Sequence, residues 1–295
     1  MNFFGSLQFQ SLLPDLNESL CRVSGFSGTL SIVGSLFNIA VTVGLQKSRL
    51  ILGKMVIFLA VFDILNHLPL VIFWMTHTTR TGCQIGSWIS FFGFGSTISF
   101  TICFAHSLYH SLRKGSIECV EKYYRKYLAF AITFGLIVGS LAIGLQYKEY
   151  DETMGICITR LPQGEFDWAG LSVILIPGLI AIVGCTVYYV MIVKMLREMN
   201  ERWYLGVFLY PMILIICIAP TIPRVFENLL GYDLYNNAVY RRIGRALFAG
   251  QGFLNSLAYG LSREIYGAFK RKCCPSREEE SIVKSLSFSE DETHY

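Results

Sequence analysis

The chain has 295 residues, of which 53% are hydrophobic and only 16% charged, with a net charge of +4 and a mean hydropathy of +0.47. Soluble domains carry about 25% charged residues, so the composition excludes a soluble enzyme and a nucleic-acid-binding surface. It predicts a polytopic all-α membrane protein.

Residues 1–24 lack the basic n-region and clean apolar h-region of a cleavable signal and are expected to form a short extracellular N-terminus. Asn17-Glu18-Ser19 within it is a glycosylation sequon, with Asn17 as the acceptor. About 20 apolar residues cross a bilayer. Uncharged windows at 23–46, 81–112, 127–147, 168–193, 203–223 and 246–262, with 55–79 interrupted by Asp63 alone, predict seven spans. Their expected bounds are 25–46, 54–76, 83–110, 127–147, 168–195, 203–224 and 241–261. The last window is the shortest.

With the N-terminus outside, the loops at 47–54, 113–126 and 194–202 and everything after 262 hold 17 of the 25 Lys and Arg. That bias is the one positive-inside sorting produces. Connections this short leave no room for a soluble domain, so function must reside in the bundle and its loops. No enzymatic activity and no cofactor are expected.

Cys103, Cys185 and Cys217 fall within spans, where cysteine is a small packing residue. Cys83 opens the third span and Cys157 lies in the loop after the fourth, both on the predicted outer side. A Cys83–Cys157 disulfide would staple that loop over the bundle. Cys21 is then left over.

Asp63 is the one acid in a predicted membrane core. At a helix centre it costs about 2.5–3.5 kcal/mol on insertion scales, which drives such a residue toward the bundle interior. Asn38 in the first span and Asn255 in the seventh are its expected partners in a polar network that switches between two arrangements. Asp63 and His67, and His106 and His110, also have the i, i+4 spacing used around zinc. The later spans contain no histidine, so a metal enzyme is not expected. A retinal Schiff base is excluded by the absence of lysine from 246–262.

Residues 262–274 end in Lys270-Arg271-Lys272-Cys273-Cys274. A helix there places Ile265, Phe269 and Cys273 on one face, as in a helix lying on a membrane surface. Residues 275–295 are polar and acidic and are expected to be a disordered tail.

Three stretches together resemble G-protein-coupled receptors, specifically the cyclic-AMP receptor-like (class E) group. "ECVEKYYRKY" at 118–127 resembles that group's Glu-Lys-Tyr-Tyr segment before the fourth span. "APTIPRVFENLLG" at 219–231 is similar to its arginine-containing end of the sixth span. "GQGFLNSLAYGLSREIYGAFKRK" at 250–272 resembles both that group and the Gln-Gly motif of secretin and adhesion receptors. There are departures. "AHSLYHSLRKG" stands where rhodopsin-type receptors carry Asp/Glu-Arg-Tyr, and Asn255-Ser256-Leu257-Ala258-Tyr259 resembles Asn-Pro-x-x-Tyr with serine for proline.

The resemblance implies a plasma-membrane receptor that couples an extracellular ligand to a heterotrimeric G protein. It makes 262–272 the amphipathic eighth helix on the cytoplasmic leaflet, with Cys273 and Cys274 as palmitoylation sites beside anionic lipid. Tyr109, Arg113, Lys114, Lys194 and Arg197 become the expected G-protein contacts, and Arg224, Arg242 and Arg245 the recognition groups for an anionic small molecule. Ser285, Ser287 and Ser289 become phosphorylation sites for an arrestin-like partner. The alternative reading is a seven-helix carrier or channel without G-protein coupling.

Overall fold

Long apolar runs in a chain this poor in charge leave the backbone one way to satisfy its polar groups inside a membrane, the α-helix, and the fold follows. The computed structural model describes residues 3–44, 51–76, 79–114, 118–146, 148–152, 156–159, 167–198, 212–223 and 238–260. The helices are α1 (Phe3–Gly44), α2 (Ile51–Met75), α3 (Arg80–Lys114), α4 (Glu118–Gly144), α5 (Ile176–Glu198), α6 (212–218), α7 (Ala238–Ala249) and α8 (Gln251–Gly260). Among the described residues, five helical stretches are long and apolar enough to cross a membrane: Arg22–Gly44, Gly53–Phe73, Arg80–Lys114, Lys122–Gly144 and Trp168–Arg197.

Two stretches depart from one simple helix per span. Residues expected as a short N-terminal approach are helical from Phe3 onward and continuous with the first apolar stretch. The expected last span, 241–261, is two helices that meet at Gly250. The expected sixth span is described only from residue 212, where α6 runs into a 3-10 turn, Ala219–Thr221, that begins just ahead of Pro220.

α3 is the axis of the bundle. It packs against α2, α4 and α5, and 72% of its most apolar window is buried, against 28% for α4. Small residues let its neighbours approach closely, as is usual where helices pack inside a membrane. A Cβ on Gly93 would collide with the Asn66 backbone, and one on Gly95 would lie 2.9 Å from Val138. Phe94 and Ile98 of α3 meet Val173, Leu214 and Ile218 in one apolar core, which seats α6 beside α3 and α5.

Asp167 caps the approach to α5, its Oδ1 accepting the Gly170 amide at 2.7 Å. Leu171–Leu175 is π-helical, closed by a bond from the Ile176 amide to the Leu171 carbonyl. Pro177 follows immediately and has no amide to donate; the wider π register accommodates its ring. Between α4 and α5 lies an antiparallel hairpin, β1 (Lys148–Asp151) and β2 (Ile156–Thr159), with Tyr150 opposite Cys157. Cys157 is disulfide-bonded to Cys83 at the start of α3. Lys148 sits 5.7 Å and 5.8 Å from the ring centres of Phe73 and Phe91, so the hairpin closes over the ends of α2 and α3.

Candidate functional site

A seam of polar side chains runs through the bundle where α1, α2, α3 and α8 meet. Asp63 of α2 is 3% exposed. Its Oδ1 accepts the Thr97 hydroxyl of α3 at 3.1 Å, and the Asn255 side chain of α8 lies beside its carboxyl on the same cavity. One acid therefore bonds α3 and borders α8. Asn38 of α1, 7% exposed, donates to the Ser256 hydroxyl at 3.2 Å, and Ser256 donates in turn to the Gly252 carbonyl at 2.7 Å.

Asn38, Val56, Leu59, Ala60, Asp63, Phe104 and Asn255 enclose a small cavity. It has room for a single water. Among the described residues the Oδ1 of Asn38 is buried without a hydrogen-bond partner, so a water here would have a waiting donor-seeking oxygen. The expected trio of Asn38, Asp63 and Asn255 is thus brought to one cavity, with Asn38 tied to α8 through Ser256.

One turn further along α2, fully buried His67 points its Nδ1 at the Asp63 carbonyl, 2.6 Å away. Its ring also meets the Phe248 backbone of α7. The i, i+4 relation of Asp63 and His67 thus brings the imidazole to the Asp63 backbone carbonyl. Ser31 of α1 donates to the Ala249 carbonyl at 2.6 Å and accepts the Phe253 amide at 3.3 Å. Those two groups would bond each other in an unbroken helix. Ser31 therefore meets the backbone where α7 gives way to α8, with the His67 ring beside it. Among the described residues no group of three His, Cys, Asp or Glu lies together.

The candidate coupling residues fall at the end of the bundle away from the hairpin. Arg113 and Lys114 finish α3, and Lys194 and Arg197 lie in the last turns of α5; all four are exposed. Tyr109 is half-buried, its ring 6.1 Å from Tyr188 of α5, and accepts a long 3.4 Å bond from Arg113. On α7, Arg242 is exposed and Arg245 half-buried. Arg224, Cys273, Cys274, Ser285, Ser287, Ser289 and the 262–274 segment lie outside the described residues, as do the side chains of Asn17 and Cys21.

Thr97, Ser256, Ser31 and the backbone role of His67 have no counterpart in the sequence reading. Single hydroxyls in apolar helices are common and usually bond their own backbone, as Thr101 does to Thr97. Only the small-residue spacing of Ser31 with Ser35 and of Gly252 with Ser256 hints at a close helix contact. Searched against protein-family models and curated proteins, the sequence matches none.

Proposed function

We propose that this chain is a plasma-membrane receptor that carries an extracellular signal to a heterotrimeric G protein through a rearranging bundle of seven spans, N-terminus outside and C-terminus inside. The single observation that supports it best is the Asp63 seam. A carboxylic acid in an apolar bundle is retained at a cost, and this one bonds Thr97 of α3 and lies beside Asn255 of α8. Relative movement of α3 and α8 would disturb these contacts, and the reading requires the seam to have a second arrangement that a ligand favours.

The two ends of the bundle suit that role. The hairpin tied by Cys83–Cys157 roofs one end, and exposed Arg113, Lys114, Lys194 and Arg197 ring the other. The resemblance of 118–127, 219–231 and 250–272 to cyclic-AMP receptor-like sequences adds the G protein as partner, and Arg224, Arg242 and Arg245 add an anionic small molecule as ligand. Phosphorylated Ser285, Ser287 and Ser289 would recruit an arrestin-like protein, and palmitoylated Cys273 and Cys274 would hold the tail to lipid. No catalytic step is part of this reading.

The test is co-purification of the tagged protein from its native host's membranes after apyrase treatment, with and without GTPγS. Recovery of a Gα subunit that GTPγS releases supports coupling. A folded, surface-exposed protein that recovers no Gα sinks the reading and leaves the carrier or channel, to be pursued by flux assays.

A further inference from the structure

A second set of polar side chains occupies α3 two turns beyond Thr97. His106 and His110 are four residues apart, hence on one face of the helix, with ring centres 4.5 Å apart. Nδ1 of His106 lies 2.5 Å from the Tyr127 hydroxyl of α4. Tyr188 of α5 meets the same ring edge-on at 5.1 Å. Two neighbouring helices therefore fix the His106 ring and leave Nε2 as its remaining nitrogen. His110 touches the rings of Tyr109 and Tyr123, and neither of its nitrogens holds a hydrogen bond among the described residues.

We propose that His106 and His110 form a two-imidazole site for a divalent transition metal of the zinc and copper class. Imidazole is the ligand these ions share. Metal–nitrogen bonds of about 2.0–2.1 Å require the two nitrogens to lie within about 4 Å, and ring centres 4.5 Å apart put the two imidazoles in that range. A ligating histidine characteristically has its other nitrogen anchored by a second group, which sets the tautomer and aims the ring. Tyr127 does this for His106. No third His, Cys, Asp or Glu joins the pair among the described residues, and with water in the remaining positions the ion exchanges with solvent. Exposed Arg113 and Lys114 one turn on oppose a cation and keep the site weaker than a structural zinc site. The bound ion ties two successive turns of α3 together beside Tyr109 and Arg113. This site is independent of the receptor reading.

The full chain, carrying a tag without histidine and held in lipid nanodiscs, is titrated with zinc against a chromogenic chelator. The sequence has five histidines, so His77→Gln and His294→Gln serve as controls. The expected result is one zinc equivalent, kept by both controls and weakened at least about tenfold by His110→Gln, the low end of what losing even a supporting partner costs a metal site. His110→Cys, which restores a ligand, recovers it. Copper(II)-loaded protein shows nitrogen hyperfine splitting from two imidazoles, and from one in His110→Gln. Absence of zinc binding by the wild type, unchanged affinity in His110→Gln, equal loss in a control, or failure of His110→Cys to recover binding overturns the proposal.

Discussion

The Ser31 hydroxyl stands at the junction of α7 and α8, between the Phe253 amide and the Ala249 carbonyl, at 3.3 Å from one and 2.6 Å from the other. A side chain inserted into the i to i−4 ladder is a recognised cause of a helix kink, and the junction of α7 and α8 at Gly250 lies within the interrupted turn. The insertion requires α1 and α8 to run close together. A Cβ on Gly34 would lie 2.6 Å from the Ser256 hydroxyl, and one on Gly252 would lie 3.1 Å from the Ser31 Cβ.

Ser31→Ala removes the inserted hydroxyl and leaves the Phe253 and Ala249 groups to bond each other or go unpaired. A buried backbone group without a partner costs about 1–3 kcal/mol, and closing the ladder recovers part of that. The expected effect is a loss of about 1 kcal/mol in stability. Thermal unfolding of the detergent-solubilised protein reads it. Ser31→Thr keeps the hydroxyl and is expected to retain more stability than Ser31→Ala; the reverse order would contradict the insertion.

Asp63 separates charge from hydrogen bonding in a second experiment. Asp63→Asn keeps a side-chain oxygen to accept the Thr97 hydroxyl and is expected to fold with near wild-type stability. Asp63→Leu strands Thr97 and Asn255 together, two buried polar groups costing about 1–3 kcal/mol each. Thermal unfolding should therefore rank wild type and Asp63→Asn together and Asp63→Leu well below. If Asp63→Leu is the more stable variant, the acid serves no bonding role in the resting bundle. Agonist-free and ligand-driven GTPγS binding then tests whether Asp63→Asn alters signalling, as the proposed function requires.

Hydropathy made Asp63 conspicuous because a single charge in an apolar window has no cheap environment but the bundle interior, and Asn38 and Asn255 followed as amides in other spans. Cys83 and Cys157 were legible because the alternation of sides left them together at one end. Ser31 and Thr97 were not, since a hydroxyl satisfies itself locally in any helix and its choice of a distant partner depends on helix rotation. Nor was the break at Gly250. Glycine is frequent in membrane helices, and what interrupts the ladder is a residue 219 positions earlier in the chain, whose arrival there is a matter of packing. The hairpin at 148–159 went unread because its strands are only four residues long.

Glycine positions test the close approach of α2 and α3. A Cβ at Gly93 would meet the Asn66 backbone and the Phe62 carbonyl, which cannot swing aside as a flexible side chain does. Gly93→Ala is expected to force the helices apart and to cost about 1–3 kcal/mol, the range for overpacking. At Gly28 the same Cβ would find Val71 at 3.4 Å, an ordinary contact. There the gain in helix propensity of up to about 1 kcal/mol prevails, so Gly28→Ala is expected to be neutral or stabilising. Melting temperatures of the two single variants check both signs in one experiment.

The Cys83–Cys157 bond joins positions 74 residues apart. Chain entropy assigns a loop of that length about 4–5 kcal/mol, but helices already inserted in a membrane restrict the unfolded ensemble, so the gain is smaller than this ceiling. Cys83→Ser and Cys157→Ser each remove the same covalent bond. Each is expected to lower the melting temperature by a similar amount, and the double variant by no more than either single one, because sites sharing one interaction do not add. Reductant is expected to bring the wild type down to the variants and to leave the variants unmoved. Because Cys157 lies opposite Tyr150 in the hairpin, the same variants are expected to free 148–159 first, raising its amide exchange while that of α3 stays slow. Equal protection of the hairpin with and without the bond would mean that Lys148, resting on Phe73 and Phe91, holds the hairpin in place without it.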